Sequence, residues 1–160
     1  MVMLLNRLAC FALIIFLAGC RFTYLVREDG QQLNRNFRSD CGNGVFTMRG
    51  RGKHSFSLHQ SFFNVKEIQL DFSGLEVTFE GKSLPLQIIN ERTGRGFSKN
   101  TLLIKEDIEI SANFRVEEGV FRGDTIKVFI NAYLRCKNGS NINMDPMIFH
   151  FSGPIEQTDQ

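Results

Sequence analysis

From Cys41 onward, apolar and polar residues alternate with a period of two. Residues 107 to 117 place Ile108, Ile110, Ala112, Phe114 and Val116 on one face and Glu109, Ser111, Asn113, Arg115 and Glu117 on the other. That is the pattern of a strand in a sheet wet on one side. Residues 125 to 136 repeat it, with Ile126, Val128, Ile130, Ala132, Leu134 and Cys136 on the inner parity. Residues 67 to 80 read as a hairpin. A two-residue Ser73-Gly74 turn sets Phe72 against Leu75, Leu70 against Val77 and Ile68 against Phe79 on one face. Further strands are expected at 44–49, 54–63, 84–90 and 147–152, separated by Gly, Asn, Ser and Pro turns. No segment sustains a helical period, and no internal repeat occurs.

Short strands in this number predict an all-β domain, a two-sheet antiparallel β-sandwich of about seven or eight strands, with a small β-barrel as the alternative. The sandwich is of immunoglobulin-like architecture. Membership of that family does not follow: the chain has no tryptophan, and Tyr133 stands three residues before Cys136 where a tyrosine corner requires two.

The N-terminus breaks the alternation. A single charge, Arg7, precedes an apolar run from Leu8 to Leu17 that ends in Leu17-Ala18-Gly19-Cys20. The run is shorter than the ~20 apolar residues a membrane-spanning helix needs, and its order of charge, apolar stretch and small residues is that of an export signal. Leu-Ala-Gly-Cys in this setting resembles the lipobox of bacterial lipoproteins. The resemblance covers residues 1 to 20 only and implies a signal peptide over 1–19, cleavage before Cys20 and acylation of Cys20. In the enteric sorting rule that comes with it, an aspartate after the cysteine retains the protein in the inner membrane. Arg21 is not aspartate, which implies the outer membrane of a Gram-negative host, lipid-anchored and facing the periplasm.

Residues 20–40 read as the lipidated N-terminus and a polar tether, which holds the domain on the order of 25 Å from the lipid if it is unstructured. Phe22 to Val26, rich in aromatic and β-branched residues, fits equally a strand or a stretch resting at the bilayer interface. The sandwich domain is expected over 41–155, with a polar tail at 156–160.

Arg7 is the one charge in residues 1–19, so the expected mature chain keeps 18 of the 19 Lys and Arg against 17 Asp and Glu. That near-neutral balance speaks against nucleic acid as a partner. Of the four cysteines, Cys10 leaves with the signal and Cys20 takes lipid. Cys41 and Cys136 remain in an oxidising compartment and are expected to form a disulfide. Neither Cys-x-x-Cys nor histidine ligand spacing is present, so no metal and no cofactor are expected.

Two glycine-rich segments carry cations: Arg49, Arg51 and Lys53 in MRGRGK, and Arg92, Arg95 and Lys99 in RTGRGFSK. Arginine forks match phosphate and carboxylate geometry, so these residues are candidates for an anion or a partner, provided the two loops lie at the same end. The expected hairpin sets Asp71 across from Glu76 and Glu67 across from Glu80. Like charges directly opposite are destabilising, which makes an acidic face offset by Lys66, Lys82, Arg115 or Lys127, or by a basic partner. No catalytic residue is expected. His59 and His150 fall on the polar parity and His54 on the apolar one, as surface or strand-edge residues, and Ser55, Ser57 and Ser61 around His59 lack a nucleophile elbow. Asn138-Gly139-Ser140 is expected to be a turn.

The expectation for function is a non-enzymatic binding or accessory subunit of an envelope complex, held to the membrane by its N-terminal lipid and docked to an envelope protein. Binding of a lipid or a small anionic glycan or phosphate is the alternative, and enzyme inhibition a further one.

Overall fold

The computed structural model describes residues 24–28 and 34–154, so the expected signal, Cys20 and the tail at 156–160 lie outside the described residues. The described chain is all-β, with one 3-10 turn at Phe72–Gly74. Its strands are β1 (Tyr24–Glu28), β2 (Asn34–Ser39), β3 (Gly42–Arg51), β4 (Ser55–Phe63), β5 (Ile68–Asp71), β6 (Leu75–Phe79), β7 (Lys82–Ser83), β8 (Gln87–Asn90), β9 (Thr101–Ile104), β10 (Ile108–Arg115), β11 (Thr125–Ile130), β12 (Leu134–Cys136) and β13 (Met147–Pro154). Sheet I runs β1-β13-β11-β6-β7, sheet II β2-β3-β4-β10-β8, and the smaller sheet III β12-β5-β9. All pairs are antiparallel and no sheet closes on itself, so the barrel alternative is not what forms.

Sheets I and II share one core. Phe56 of β4 meets Phe151 of β13 edge-on at 6.1 Å between ring centroids. Phe37, Phe46 and Phe62 cluster at 6.0 to 6.2 Å on the inner face of sheet II. Phe, Ile, Leu and Val dominate this core, and the alternation in β10 holds: Ile110, Ala112 and Phe114 are buried, while Glu109 and Arg115 are exposed. Cys41, in the β2–β3 turn of sheet II, is bonded to Cys136 of sheet III with 5.7 Å between Cα atoms. It closes a loop spanning 95 positions, worth about 4–5 kcal/mol on the chain-entropy model.

The expected hairpin at 67–80 does not form. Asp71 accepts hydrogen bonds from Ser73 N–H at 3.1 Å and Ser73 Oγ–H at 2.5 Å, winding Phe72–Gly74 into a 3-10 turn. The chain therefore passes from sheet III to sheet I instead of doubling back. Each inner residue finds another partner: Ile68 lies opposite Cys136 and Ile104, Leu70 opposite Leu134 and Leu102, Val77 opposite Val128, and Phe79 opposite Ile126. The expected strand at 125–136 is split at the same corner, where Ala132 takes φ 55°. Leu70 to Leu75 is five steps while Leu134 back to Ile130 is four, so one extra residue kinks a single long ladder across two sheets, as a bulge does.

Other expectations are corrected in detail. The strand expected at 84–90 shortens to β8 at 87–90, because Leu84-Pro85-Leu86 link β7 to β8 as the chain crosses from the edge of sheet I to the edge of sheet II. Glu80 and Gly81, with φ 49° and 76°, form the two-residue turn between β6 and β7, the left-handed pair that hairpins of this length prefer. The tether expected over 20–40 supplies β1 and β2, which pair with β13 and β3. β9 had no sequence signal beyond four residues, TLLI. Asn138–Ser140 is a turn as expected, with Gly139 at φ 85° and Ser140 N–H bonded to Asn138 Oδ1 at 3.0 Å.

Candidate functional site

The outer face of sheet II is laid out by strand register. Arg49 of β3 lies opposite Ser57 of β4, Ser57 opposite Asn113 of β10, and Asn113 opposite Gln87 of β8. Two residues toward the end of the sheet, Arg51 lies opposite Ser55 and Ser55 opposite Arg115. Residues in register share a face, so short side chains make a floor between the arginines. The segment from Lys82 to Gln87 walls the far side with Leu84, Pro85 and Leu86. The result is an open groove of about 850 Å³.

Arg49, Arg51, Lys82 and Arg115 all border this groove. None of the four enters an ion pair among the described residues. Glu91, Glu117 and Glu118 also border it and temper the field without neutralising it. Arg49 and Arg51 were legible as candidates from sequence. Lys82 and Arg115 were named only as counter-charges for an acidic face. Their parity was the missed signal, since Arg115 occupies the polar face of β10 next to the β4 serines.

The two basic loops do not converge. Asn90 at the end of β8 lies opposite Ile110, and Glu91 N–H bonds to Glu109 O at 3.0 Å. Arg92 and Arg95 therefore sit at the opposite end of sheet II from Arg51 and Lys53. Lys99 borders a separate hollow with Phe72 and Phe97. Lys53 tips the β3–β4 turn, its Nζ 5.1 Å from the centroid of the Phe121 ring.

One row further along the same face, polar groups close over β4. His59 (7% exposed) and Ser111 (1%) are buried at mid-sheet, which corrects the surface or edge position expected for His59. The Ser111 hydroxyl donates to Glu91 Oε1. His59 Nδ1 lies 3.4 Å from Ser111 Oγ and 3.6 Å from Glu91 Oε1, while Nε2 is 3.3 Å from Ser61 Oγ and 4.0 Å from Glu109 Oε1. Ser111 is covered from solvent and its hydroxyl proton is engaged by Glu91. What the arrangement does is fasten the start of the β8–β9 loop onto the sheet. The alternating serines of β4 were the available signal, since a floor of small polar groups leaves room for a side chain from above. His54, on the apolar parity, is half-buried with Nδ1 3.0 Å from Val116 O, and His150 is exposed with Nδ1 3.3 Å from Thr125 Oγ1.

The acidic face is dispersed because the hairpin behind it does not form. Glu67 pairs with Lys137 at 2.8 Å. Asp71 caps the 3-10 turn, which holds its carboxyl below the usual carboxylate value, chiefly through the Ser73 hydroxyl. Glu76 accepts from Ser83 Oγ, and Glu80 sits in its own turn. Glu76 and Glu80 share a hollow with Asp124 and Lys127. Among the described residues, no group of three or more His, Cys, Asp or Glu is placed to hold a metal ion. Comparison with known protein families, curated proteins and solved structures finds no match to this chain.

Proposed function

We propose that the chain is a lipid-anchored outer-membrane protein that faces the periplasm and works by binding, as a non-enzymatic accessory subunit of an envelope complex. Its contact surface is the groove on the outer face of sheet II. The observation that carries this reading is the convergence of Arg49, Arg51, Lys82 and Arg115, all free of ion pairs among the described residues, on one small-floored groove. Holding four unpaired cations side by side is unfavourable unless an anionic group meets them. Arginine forks pair with carboxylates in two parallel hydrogen bonds, so an acidic segment of a larger envelope protein fits. The finer architecture, an immunoglobulin-like two-sheet sandwich, belongs to the same proposal. It is supported by the shared core of sheets I and II and by a disulfide joining an early turn to a late strand.

A second reading, an anionic glycan or phosphate ligand, draws on the floor itself. Ser55, Ser57 and Asn113 offer hydroxyl and amide groups that suit sugar hydroxyls.

The test is affinity capture from detergent-solubilised envelope with the full acylated chain. One variant bait combines R49Q, R51Q, K82Q and R115Q, and a control bait combines R92Q and R95Q at the other end of the sheet. A protein retained in fixed ratio by the native and control baits, and lost from the groove variant, is the expected outcome. Retention by all three removes the groove from the contact. Capture of glycan or phosphate in place of protein moves the second reading ahead, and an empty native bait refutes the accessory role.

A further inference from the structure

We infer that the end of the sandwich bearing Phe121 and Lys53 rests on the lipid surface to which Cys20 is attached. Acylation of Cys20 is taken from the proposed function; strand directions supply the rest. β10 ends at Arg115 beside Ser55, and residues 116–124 then carry the chain to Thr125 at the start of β11. That loop is stitched to both sheets at this end: Val116 N–H to His54 O at 2.9 Å, Val120 N–H to Lys53 O at 2.7 Å and Gly123 N–H to Phe151 O at 2.9 Å. β13 is antiparallel to β11, so its last residues approach the same end. β1 is antiparallel to β13, with Tyr24 opposite Pro154. The described chain thus begins at the Phe121 end.

Cys20 is four positions before Tyr24, a reach of at most about 14 Å even when fully extended. The expected spacing of about 25 Å from the lipid is not available to β1. Whichever side chains crown this end are held close to the bilayer.

What crowns it suits an interface. Phe121 is 55% exposed, more than the other two exposed large apolar residues among the described residues, Phe63 and Leu103. Those two belong to the opposite end. Phe63 closes β4 and Leu103 lies opposite Gln69 in sheet III, and the nine residues of β4 separate the ends by roughly 30 Å. The Phe121 ring carries Lys53 Nζ at 5.1 Å, an apolar body beside a cation at the height where acyl chains give way to phosphates. Its backbone is set in advance. Asp124 Oδ2 accepts from Phe121 N–H at 2.7 Å, and Asp124 N–H donates to Phe121 O at 3.1 Å. One ring binds a bilayer weakly on its own, but an anchor four residues before β1, at the same end, makes the second contact intramolecular. The cations at this end, Arg51, Lys53, Arg115 and Arg122, outnumber Glu117, Glu118 and Asp124 by one, too small an excess for a polybasic patch, so the contact is by ring insertion.

The chain has no tryptophan, so Phe121→Trp introduces a sole indole reporter and Leu103→Trp its control at the far end. Each variant is produced as the full acylated chain and reconstituted into phosphatidylethanolamine–phosphatidylglycerol vesicles, with or without brominated acyl chains. Indole emission of the Phe121→Trp variant is expected to shift to the blue and lose intensity with brominated lipid, unaffected by added salt, while that of the Leu103→Trp variant is unchanged. Slower amide exchange of residues 120–122 of the native protein in vesicles than in detergent gives a readout free of substitution. If the protein floats with the vesicles but the Phe121→Trp variant is not quenched, the docking is wrong and the anchor stands. If it does not float, the anchor is wrong and the docking falls with it.

Discussion

The Tyr133 hydroxyl donates to Gln60 Oε1 at 2.6 Å across the middle of the domain, and both side chains are fully buried. Gln60 stands among Leu58 and Phe62 on β4, the central strand of sheet II, while Tyr133 stands at the corner between sheets I and III. One hydrogen bond therefore ties the corner to the opposite sheet. Gln60 Nε2 has no partner, so the amide already bears one unmet group. Tyr133→Phe strands the carbonyl as well, at an expected cost of about 1–3 kcal/mol. Tyr133→Phe combined with Gln60→Leu recovers most of that stability, because no polar group is then left buried. Urea unfolding of the two single variants and the pair measures the coupling. Additive losses would show that the bond contributes little.

The same tyrosine shapes the alkaline limit. Burial pushes its phenol well above the ordinary 10.0, against the smaller opposing effect of the Gln60 hydrogen bond. A raised value means the folded state favours the neutral form. Stability is therefore whole below the unfolded value near 10 and falls as pH rises beyond it. The native protein is expected to lose stability steeply above pH 10 in thermal melts, and Tyr133→Phe is expected to flatten that slope. Equal slopes would place the alkaline loss elsewhere.

Gly74 fixes the corner. A Cβ there would overlap Asn131 O and stand 2.8 Å from Tyr133 N, both backbone atoms that cannot swing aside. Gly74→Ala is expected to cost about 2–3 kcal/mol by forcing the two chains apart. Gly81 is the comparison: its φ is 76° but a Cβ there meets nothing within 4 Å, so Gly81→Ala costs only the ~1 kcal/mol of a strained turn. Denaturant midpoints rank the two, and a Gly81 variant as damaging as the Gly74 variant would refute this account of the corner.

Gly74 also shows what the chain's pattern can and cannot say. Ile68, Leu70, Val77 and Phe79 are buried as their parity demands, yet parity is silent about which strand each one faces. Asp71 and Ser73 could serve a hairpin or a cap, and the choice was made by β11 and β12 more than fifty residues away. The disulfide was legible because elimination left only Cys41 and Cys136. The groove was half legible: Arg49 and Arg51 stood out in a glycine-rich segment, whereas Arg115 and Lys82 join them only through the pairing of β3, β4 and β10 and the crossing after β7. Arg92 and Arg95 look alike in sequence and belong to the other end for the same reason.

Acid probes the cap. The hydrogen bond from the Ser73 hydroxyl, reinforced by Ser73 N–H and Arg135 and opposed by slight burial, holds the Asp71 carboxyl below its ordinary 3.8. A lowered value contributes stability that is present above the unfolded value and lost as pH falls through the folded one. Asp71→Asn keeps an acceptor oxygen but not the charge. The native protein is expected to be the more stable of the two at pH 6, with the difference shrinking below about pH 4. A gap that is constant with pH would mean that the charge of Asp71 plays no part.

Glu91 is the fastener of the β8–β9 loop, and its removal separates the two ends of sheet II. It takes the Ser111 hydroxyl proton in hydrogen bonding and lies 3.6 Å from His59 Nδ1, while its own backbone holds to Glu109. Glu91→Ala leaves Ser111 and His59 buried without that carboxylate. The loop then keeps the backbone bond from residue 91 to Glu109 and the bonds of its own turn, among them Asn90 N–H to Arg95 O and Gly94 N–H to Asn90 O, but no side-chain tie to the sheet at position 91. Amides from Glu91 to Gly96 are expected to exchange at least about tenfold faster, a local opening of the low-stability kind. Those of Arg49 to Arg51, at the far end of the same strands, are expected to keep their rates. If both ends accelerate together, the cluster supports the whole sheet and not the loop alone.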